Sequence, residues 1–344
     1  TIGWVFLVFL AVGVLIPFAI FFWRYGRLKS AQSVESTLSR EAAFLVNNLL
    51  LLSIAFITMW GMVFPLIAQL ITGETTTVAR PFYDKVNGPL MLALIFLMGV
   101  GPLLPWRRGS LAGLRNSLVW PVFISLVSVI GLVIMGIHKT YPLIAFGLCA
   151  LVSSGILLEW LRGVRSRHGR GEGYIVAFVR LIAGNRPRYG GYIVHLAVVM
   201  VLLGVLGASF FNIQKDVVLA QGESVDVSNY AVKYVGTNVI SRSDRVSYLT
   251  DVEVSRDGQF FKNMTSRRDF YPSFNMASTR AAIHSTPVED FYIVPSENMA
   301  DGSVGIRILV NPMIWWMWVA GPVFVVGTII ALWPDRRRDI VKTA

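Results

Sequence analysis

Residues 189–210 read YGGYIVHLAVVMVLLGVLGASF, and a few residues later, at 224–235, the chain reads SVDVSNYAVKYV. The first stretch is apolar all round and long enough to cross a bilayer core about 30 Å thick, which takes roughly 20 residues of helix. The second alternates apolar and polar residues with a period of two, the pattern of a half-buried strand. The fold turns on this change of period: the chain before residue 211 is written for lipid, and the chain just after it for water.

Working outward from that junction, apolar runs at 3–23, 41–69, 89–105, 114–136 and 141–161 give five earlier spans, and 313–333 gives one more after the β segment. Ser39 stands where a helix N-cap belongs, and Pro65 is placed to kink the second span near its outer end. Residues 70–88 (ITGETTTVARPFYDKVNGP) are crowded with turn formers and read as a loop. The basic connection 162–188 contains a short helix-like stretch, GYIVAFVRLIAG. Between 211 and 311 the alternation recurs at 246–254, 290–294 and 304–310. Arg256-Asp257-Gly258 and Asp301-Gly302 supply turn signals, so a small antiparallel β domain is expected. The fold class is therefore a polytopic α-helical membrane protein of about seven transmembrane helices, with a small β-rich domain inserted before the last. Residues 1–210 form a bundle of six spans, 211–311 the β-rich domain, and 312–344 the last span with a basic tail.

Composition agrees. The chain is 54% hydrophobic and 15% charged, with mean hydropathy +0.60, where a soluble domain carries about 25% charged residues. The net charge of +11 invites a nucleic-acid reading, but the charges are sorted by topology. The polar stretches 24–43, 106–115, 159–189 and 334–344 hold 18 of the 31 Lys+Arg and 6 of the 20 Asp+Glu. Segment 211–311 holds 10 basic and 12 acidic residues. This is the positive-inside pattern. It places Lys29, Arg107, Arg108, Arg162 and Arg336 to Arg338 in the cytoplasm, and the N-terminus and the β domain outside. Nucleic acid is not an expected partner. The single cysteine, Cys149, lies in an apolar run and allows neither an internal disulfide nor a cysteine metal cluster. The run that follows Thr1 lacks the basic leader and cleavage site of a signal peptide, so a processed chain or the C-terminal part of a longer one is expected.

Among candidate chemical residues His195 is the sharpest. It lies about 9 Å into the sixth span at 1.5 Å per residue, where an ionisable side chain is costly and functional by default. Gly191 sits one turn earlier on the same face, with Tyr192 beside it, and leaves space for a flat ligand next to the imidazole. Imidazole is an axial ligand of heme iron; equally, a histidine in a bundle can be a packing residue hydrogen-bonded to a neighbouring helix. His138 reads as an interfacial residue, His168 as a solvated loop residue and His284 as a surface or loop residue. Glu41 and Glu159 fall near inner helix ends, not in mid-membrane, and Asn47 and Asn48 read as polar glue between helices. Neither a hydrolase nor a phosphate-binding motif is present. A transporter would need ionisable groups along a path or inverted repeats, and the sequence has neither.

The order of these features resembles the C-terminal half of the CcmF family, membrane heme lyases of cytochrome c maturation. The resemblance runs along essentially the whole chain. It is carried by Ser39-Arg40-Glu41, by Asn47-Asn48 opening a long apolar helix with Phe64-Pro65-Leu66, by Pro81-Phe82-Tyr83 and by Gly99-Val100-Gly101-Pro102. It continues through GGYIVHLAVVMVLLG around His195, Gly222-Glu223-Ser224, and Asn311-Pro312 leading into a tryptophan-rich helix that ends Asp335-Arg336-Arg337. The resemblance implies that heme, as substrate, arrives from a membrane-anchored heme chaperone and is attached to the CxxCH motif of apocytochrome c outside the cytoplasmic membrane. A thiol-reducing, apocytochrome-presenting membrane partner is implied as well. So is a resident heme b, with His195 as one axial ligand and Gly191 packing against it. The family's tryptophan-rich heme-handling motif, its flanking histidines and the second transmembrane ligand all precede the point where this chain begins. The N-terminal half of the lyase is therefore an expected partner if the gene is split, and the chain alone is expected to be inactive. Two charges are exchanged relative to the family: Asp269 stands where an arginine is usual and Arg280 where a glutamate is usual. A structural pair between Asp269 and Arg280 on neighbouring strands is the expectation. The alternative function is a non-catalytic membrane scaffold whose β domain recruits partners; it predicts no cofactor and a tolerated His195→Ala.

Overall fold

The computed structural model describes residues 2–28, 36, 39–104, 111–299 and 301–334. Lys29, Arg107, Arg108 and the run Asp335 to Arg338 lie outside the described residues.

Seven helices are long and apolar enough to cross a membrane: α1 (Ile2–Leu28), α2 (Arg40–Thr72), α3 (Arg80–Val100), α4 (Leu111–Ile134), α5 (Thr140–His168), α7 (Arg186–Phe210) and α8 (Ile314–Leu332). The short α6 (Tyr174–Gly184) lies between α5 and α7. The chain is a multi-pass membrane protein. Ser39 caps α2 as expected: its buried hydroxyl accepts from the Ala42 amide at 3.2 Å and donates to the Ser36 carbonyl at 2.7 Å. The loop expected over 70–88 is shorter, because α3 already begins at Arg80. Pro81 in the first turn presets helical φ and loses no intrahelical bond there. Arg80 pairs with Asp84 one turn on, at 3.3 Å. The turn formers in 70–88 are therefore largely helix starters.

The tightest helix pair is α7 with α8, and glycine makes it so. A Cβ on Gly190 would come within 2.5 Å of the Ala331 backbone nitrogen, and one on Gly327 within 2.9 Å of Val194. Small residues let helix backbones approach in lipid, where dispersion replaces the hydrophobic effect as the driving force. On its other side α7 packs on α5 through Tyr189, Tyr192 and Val199 against Cys149, Val152 and Ile156. Both ends of α7 are tied: Arg186 donates to the Pro334 carbonyl at 3.1 Å, and Lys139 donates to the Phe210 carbonyl at 3.0 Å. A cation at the last turn also suits the helix dipole.

The β domain has nine strands among the described residues, in two antiparallel sheets. One has the order β1 (Ile213–Leu219), β9 (Val304–Pro312), β8 (Glu289–Asn298), β7 (Ala282–Ser285). The other has the order β2 (Ser224–Val227), β3 (Tyr230–Ser241), β4 (Val246–Arg256), β5 (Gln259–Tyr271), β6 (Met276–Arg280). The alternating stretch 224–235 is thus not one strand but a hairpin, turned at Ser228 (φ 56°). Asp257, Gly258 and Gly302 also have positive φ, as their turn signals required. The sheets close on Val232, Val254, Phe291, Ile293, Ile306 and Ile308, all fully buried. Each such side chain contributes roughly 1.5–3 kcal/mol. Tyr230 stacks on Phe291 across the sheets at 4.3 Å. The first and last strands, β1 and β9, are hydrogen-bonded neighbours. They directly prolong α7 and α8, so the two helices and the two strands make one continuous pair.

Candidate functional site

His195 stands in α7 between two packed faces. Gly190 and Val194 meet α8, and Tyr189, Tyr192 and Val199 meet α5. The remaining stripe is open. A Cβ on Gly191 would meet nothing within 4 Å, and Val198 and Val205 are exposed. The structure therefore brings His195 and Gly191 together on the unpacked side of the helix. The imidazole is half-buried, and its Nδ1 is buried without a hydrogen-bond partner. A buried polar atom left unpaired costs on the order of 1–3 kcal/mol. Nδ1 is enclosed by protein and has no bond to a neighbouring helix. A ligand over the Gly191 shelf would therefore be taken by Nε2, and an imidazole beside a glycine whose missing Cβ leaves open space fits a flat metal macrocycle.

A polar clamp below His195 fixes the start of α7. Arg188 donates to the Tyr192 hydroxyl at 3.0 Å and to the Glu159 carboxylate of α5. Its guanidinium also lies 5.7 Å from the centre of the Tyr192 ring. Sequence reasoning placed Glu159 at an inner helix end and gave it no partner. The signal it missed was Arg188, three residues before Gly191 and distant from Glu159 in sequence.

The other histidines have local partners or solvent. His138 is exposed, His168 stacks on Tyr174 at 3.9 Å, and His284 meets the Phe261 ring edge-on at 4.9 Å. Among the described residues no group of three or more His, Cys, Asp or Glu is arranged to hold a metal ion.

Asp269 and Arg280 do lie on neighbouring strands, β5 and β6, but the register sets Arg280 opposite Arg267 and Asp269 opposite Ser278. The ion pair of Asp269 is with Arg267, two residues away on its own strand, at 2.7 Å. Ser247, directly across on β4, donates to the same oxygen at 2.6 Å. Residues i and i+2 share a face of a strand, so the partner nearest in sequence replaces the expected cross-strand one. Burial pushes the Asp269 carboxyl up; the hydrogen bonds from Arg267 and Ser247, with the charges of Arg267 and Arg245, outweigh it and hold the carboxyl below its ordinary range.

Comparison with known proteins agrees with this architecture. Residues 210–312 match the family described as the CcmF C-terminal beta-sandwich. The chain is 25% identical over 338 residues to the cytochrome c-type biogenesis protein CcmF of Haemophilus influenzae, covering 98% of this chain and 51% of that protein. It is 29% identical over 321 residues to CycK of Rhizobium meliloti, covering 93% and 47%. A solved structure of the cytochrome c heme lyase CcmF superposes with a TM-score of 0.68 at 25% identity, over 87% of this chain and 46% of that one. The chain thus spans about half the length of the curated relatives it matches. A seven-helix bundle, a two-sheet domain set between its last two spans, and similarity along nearly the whole sequence lead to one conclusion: residues 210–312 form a CcmF C-terminal beta-sandwich, and the chain as a whole is similar to the CcmF family of cytochrome c-type biogenesis proteins.

Proposed function

We propose that this chain is one part of a cytochrome c heme lyase, and that His195 is an axial ligand of a b-type heme lying against Gly191. The observation that supports the site is the half-buried imidazole of His195, its Nδ1 enclosed and unpartnered so that Nε2 is the nitrogen left for a ligand, beside the open Gly191 shelf. When bound, such a heme supplies an iron centre able to take up or pass on one electron. The chain's own residues do the positioning. The glycine contacts with α8 and the Arg188–Glu159 clamp hold α7 in place, and so hold the imidazole. In this reading the substrate heme comes from a membrane-anchored chaperone and is joined to the CxxCH motif of apocytochrome c. The β domain lies in the periplasm and the C-terminus in the cytoplasm, an orientation supported by the arginines of the α5–α7 connection. A thiol-reducing partner presents the apocytochrome, and the second heme ligand and the substrate-heme site come from an N-terminal half.

The test is an absorption spectrum and pyridine hemochrome assay of the chain co-purified with a matching N-terminal half, beside the His195→Ala variant. A b-type heme in the parent that is lost in the variant is the expected result. Equal heme in both makes His195 a packing residue. No heme in either, from a folded complex, favours the scaffold reading.

A further inference from the structure

β3 is paired along its length with β4, from Tyr230 to Ser241. On its other side β2 covers only Tyr230 to Lys233, and two bonds joining Tyr234 to Gly222 and Glu223 end that ladder. From Gly236 to Ser241 this side of β3 has no backbone partner among the described residues. The alternation of an antiparallel ladder tells which groups face outward. Tyr234 turns its N–H and C=O toward β2, so Val252, opposite it, turns away from β3 toward β5. Thr250, Tyr248 and Val246 follow at every second residue. Their β3 partners across the Tyr234/Gly236 bulge are Thr237, Val239 and Ser241. These three residues therefore direct their amides and carbonyls into the open edge.

Open edges are normally guarded by charge, proline or shortness. β1 carries Lys215 and Asp216, β6 carries Arg280, and β2 and β7 have four residues each. Gly236-Thr237-Asn238-Val239-Ile240-Ser241 has no charge and no proline, and Val239 is 59% exposed. Along this edge runs a cleft of about 550 Å³, with Thr237, Val239 and Tyr248 on one side and, on the other, Asn298 at the end of β8 with Met299 and Ser303 of the β8–β9 connection.

We infer that the Gly236–Ser241 edge of β3 binds an extended polypeptide segment, which adds to the sheet as a further strand. Three donors and three acceptors fix the incoming backbone, and its alternate side chains enter the cleft beside Tyr248 and Met299, the recognition mode of strand addition. The occupant is an unfolded stretch, because a folded protein pairs most of its backbone groups and guards the edges it leaves open. The inference rests on the proposed function only for the identity of the arriving chain, an apocytochrome before heme attachment; the edge is independent of His195.

The probe is a fluorescein-labelled octapeptide of alternating valine and threonine with lysines at its ends, titrated onto the full chain co-purified with a matching N-terminal half in nanodiscs. The control is the same peptide N-methylated at every residue, which keeps the side chains and removes the donors. Saturable binding is expected, at least tenfold weaker for the methylated peptide. Hydrogen exchange at Thr237, Val239 and Ser241 is expected to slow at least tenfold in the complex. Val239→Pro removes one donor at an edge where proline is tolerated, and is expected to weaken binding at least tenfold with melting temperature and heme content unchanged. If that variant does not fold, the methylated peptide and the exchange data still decide. No binding, binding of both peptides within twofold, or no added protection at these amides overturns the inference. Peptide binding lost while heme is retained faults the edge; heme lost from the parent while peptide binding is retained faults the function proposed for His195.

Discussion

Two adjacent glycines on α7 carry opposite expectations. Gly190 has no room for a Cβ, because the Ala331 backbone is in the way, whereas Gly191 faces open space. Gly190→Ala is expected to force α8 off α7, costing about 1–3 kcal/mol as overpacking does, and to lower the melting temperature of the detergent-solubilised chain. Gly191→Ala is expected to leave melting unchanged and to reduce heme content, since its methyl enters the shelf beside His195. Asp269 gives a pH test. Its folded carboxyl titrates below its ordinary range, so the stability it contributes is full above about pH 4, the unfolded value, and is lost as pH falls through the lower folded value. Asp269→Asn is expected to destabilise the domain near neutral pH and to flatten this acid loss, as read from melting curves between pH 3 and 7. That His195 and Gly191 share one side of α7 was legible in the sequence, because residues four apart lie on the same helix face. The true partner of Asp269 was not. It depended on whether a neighbour on the same strand or one across the sheet reached the carboxylate first, and sequence spacing does not decide that.

Among the elements, the start of α2 depends on a single hydroxyl. Ser39→Ala removes the acceptor for the Ala42 amide and the bond to the Ser36 carbonyl. The expected cost is about 1 kcal/mol, seen as faster amide exchange in the first turn of α2 with the β domain unaffected. This cap was readable from the sequence, as were the six apolar cores before residue 211, because capping and hydropathy are local signals. The start of α3 was not readable: the composition of 70–88 marks turns, while Pro81 and the Arg80–Asp84 pair begin a helix. In the β domain the turn signals placed hairpins correctly, but β1, β5, β6 and β7 carried no pattern strong enough to identify. The open edge of β3 was also out of reach, since it exists only because β2 is short, a property of pairing between segments.

For the whole molecule, the arrangement that matters most is the continuity of α7 with β1 and of α8 with β9. Because β1 and β9 are bonded to each other and the helices are locked through glycine, the two spans and the sandwich are joined by paired struts rather than by a single flexible tether. A load applied at the tip of the domain is therefore shared by two strands and two helices at once. His195 lies about 22 Å from that junction, at 1.5 Å per residue, on a helix that α5 and α8 brace along the way, so the imidazole is insulated from what the domain does at its far end.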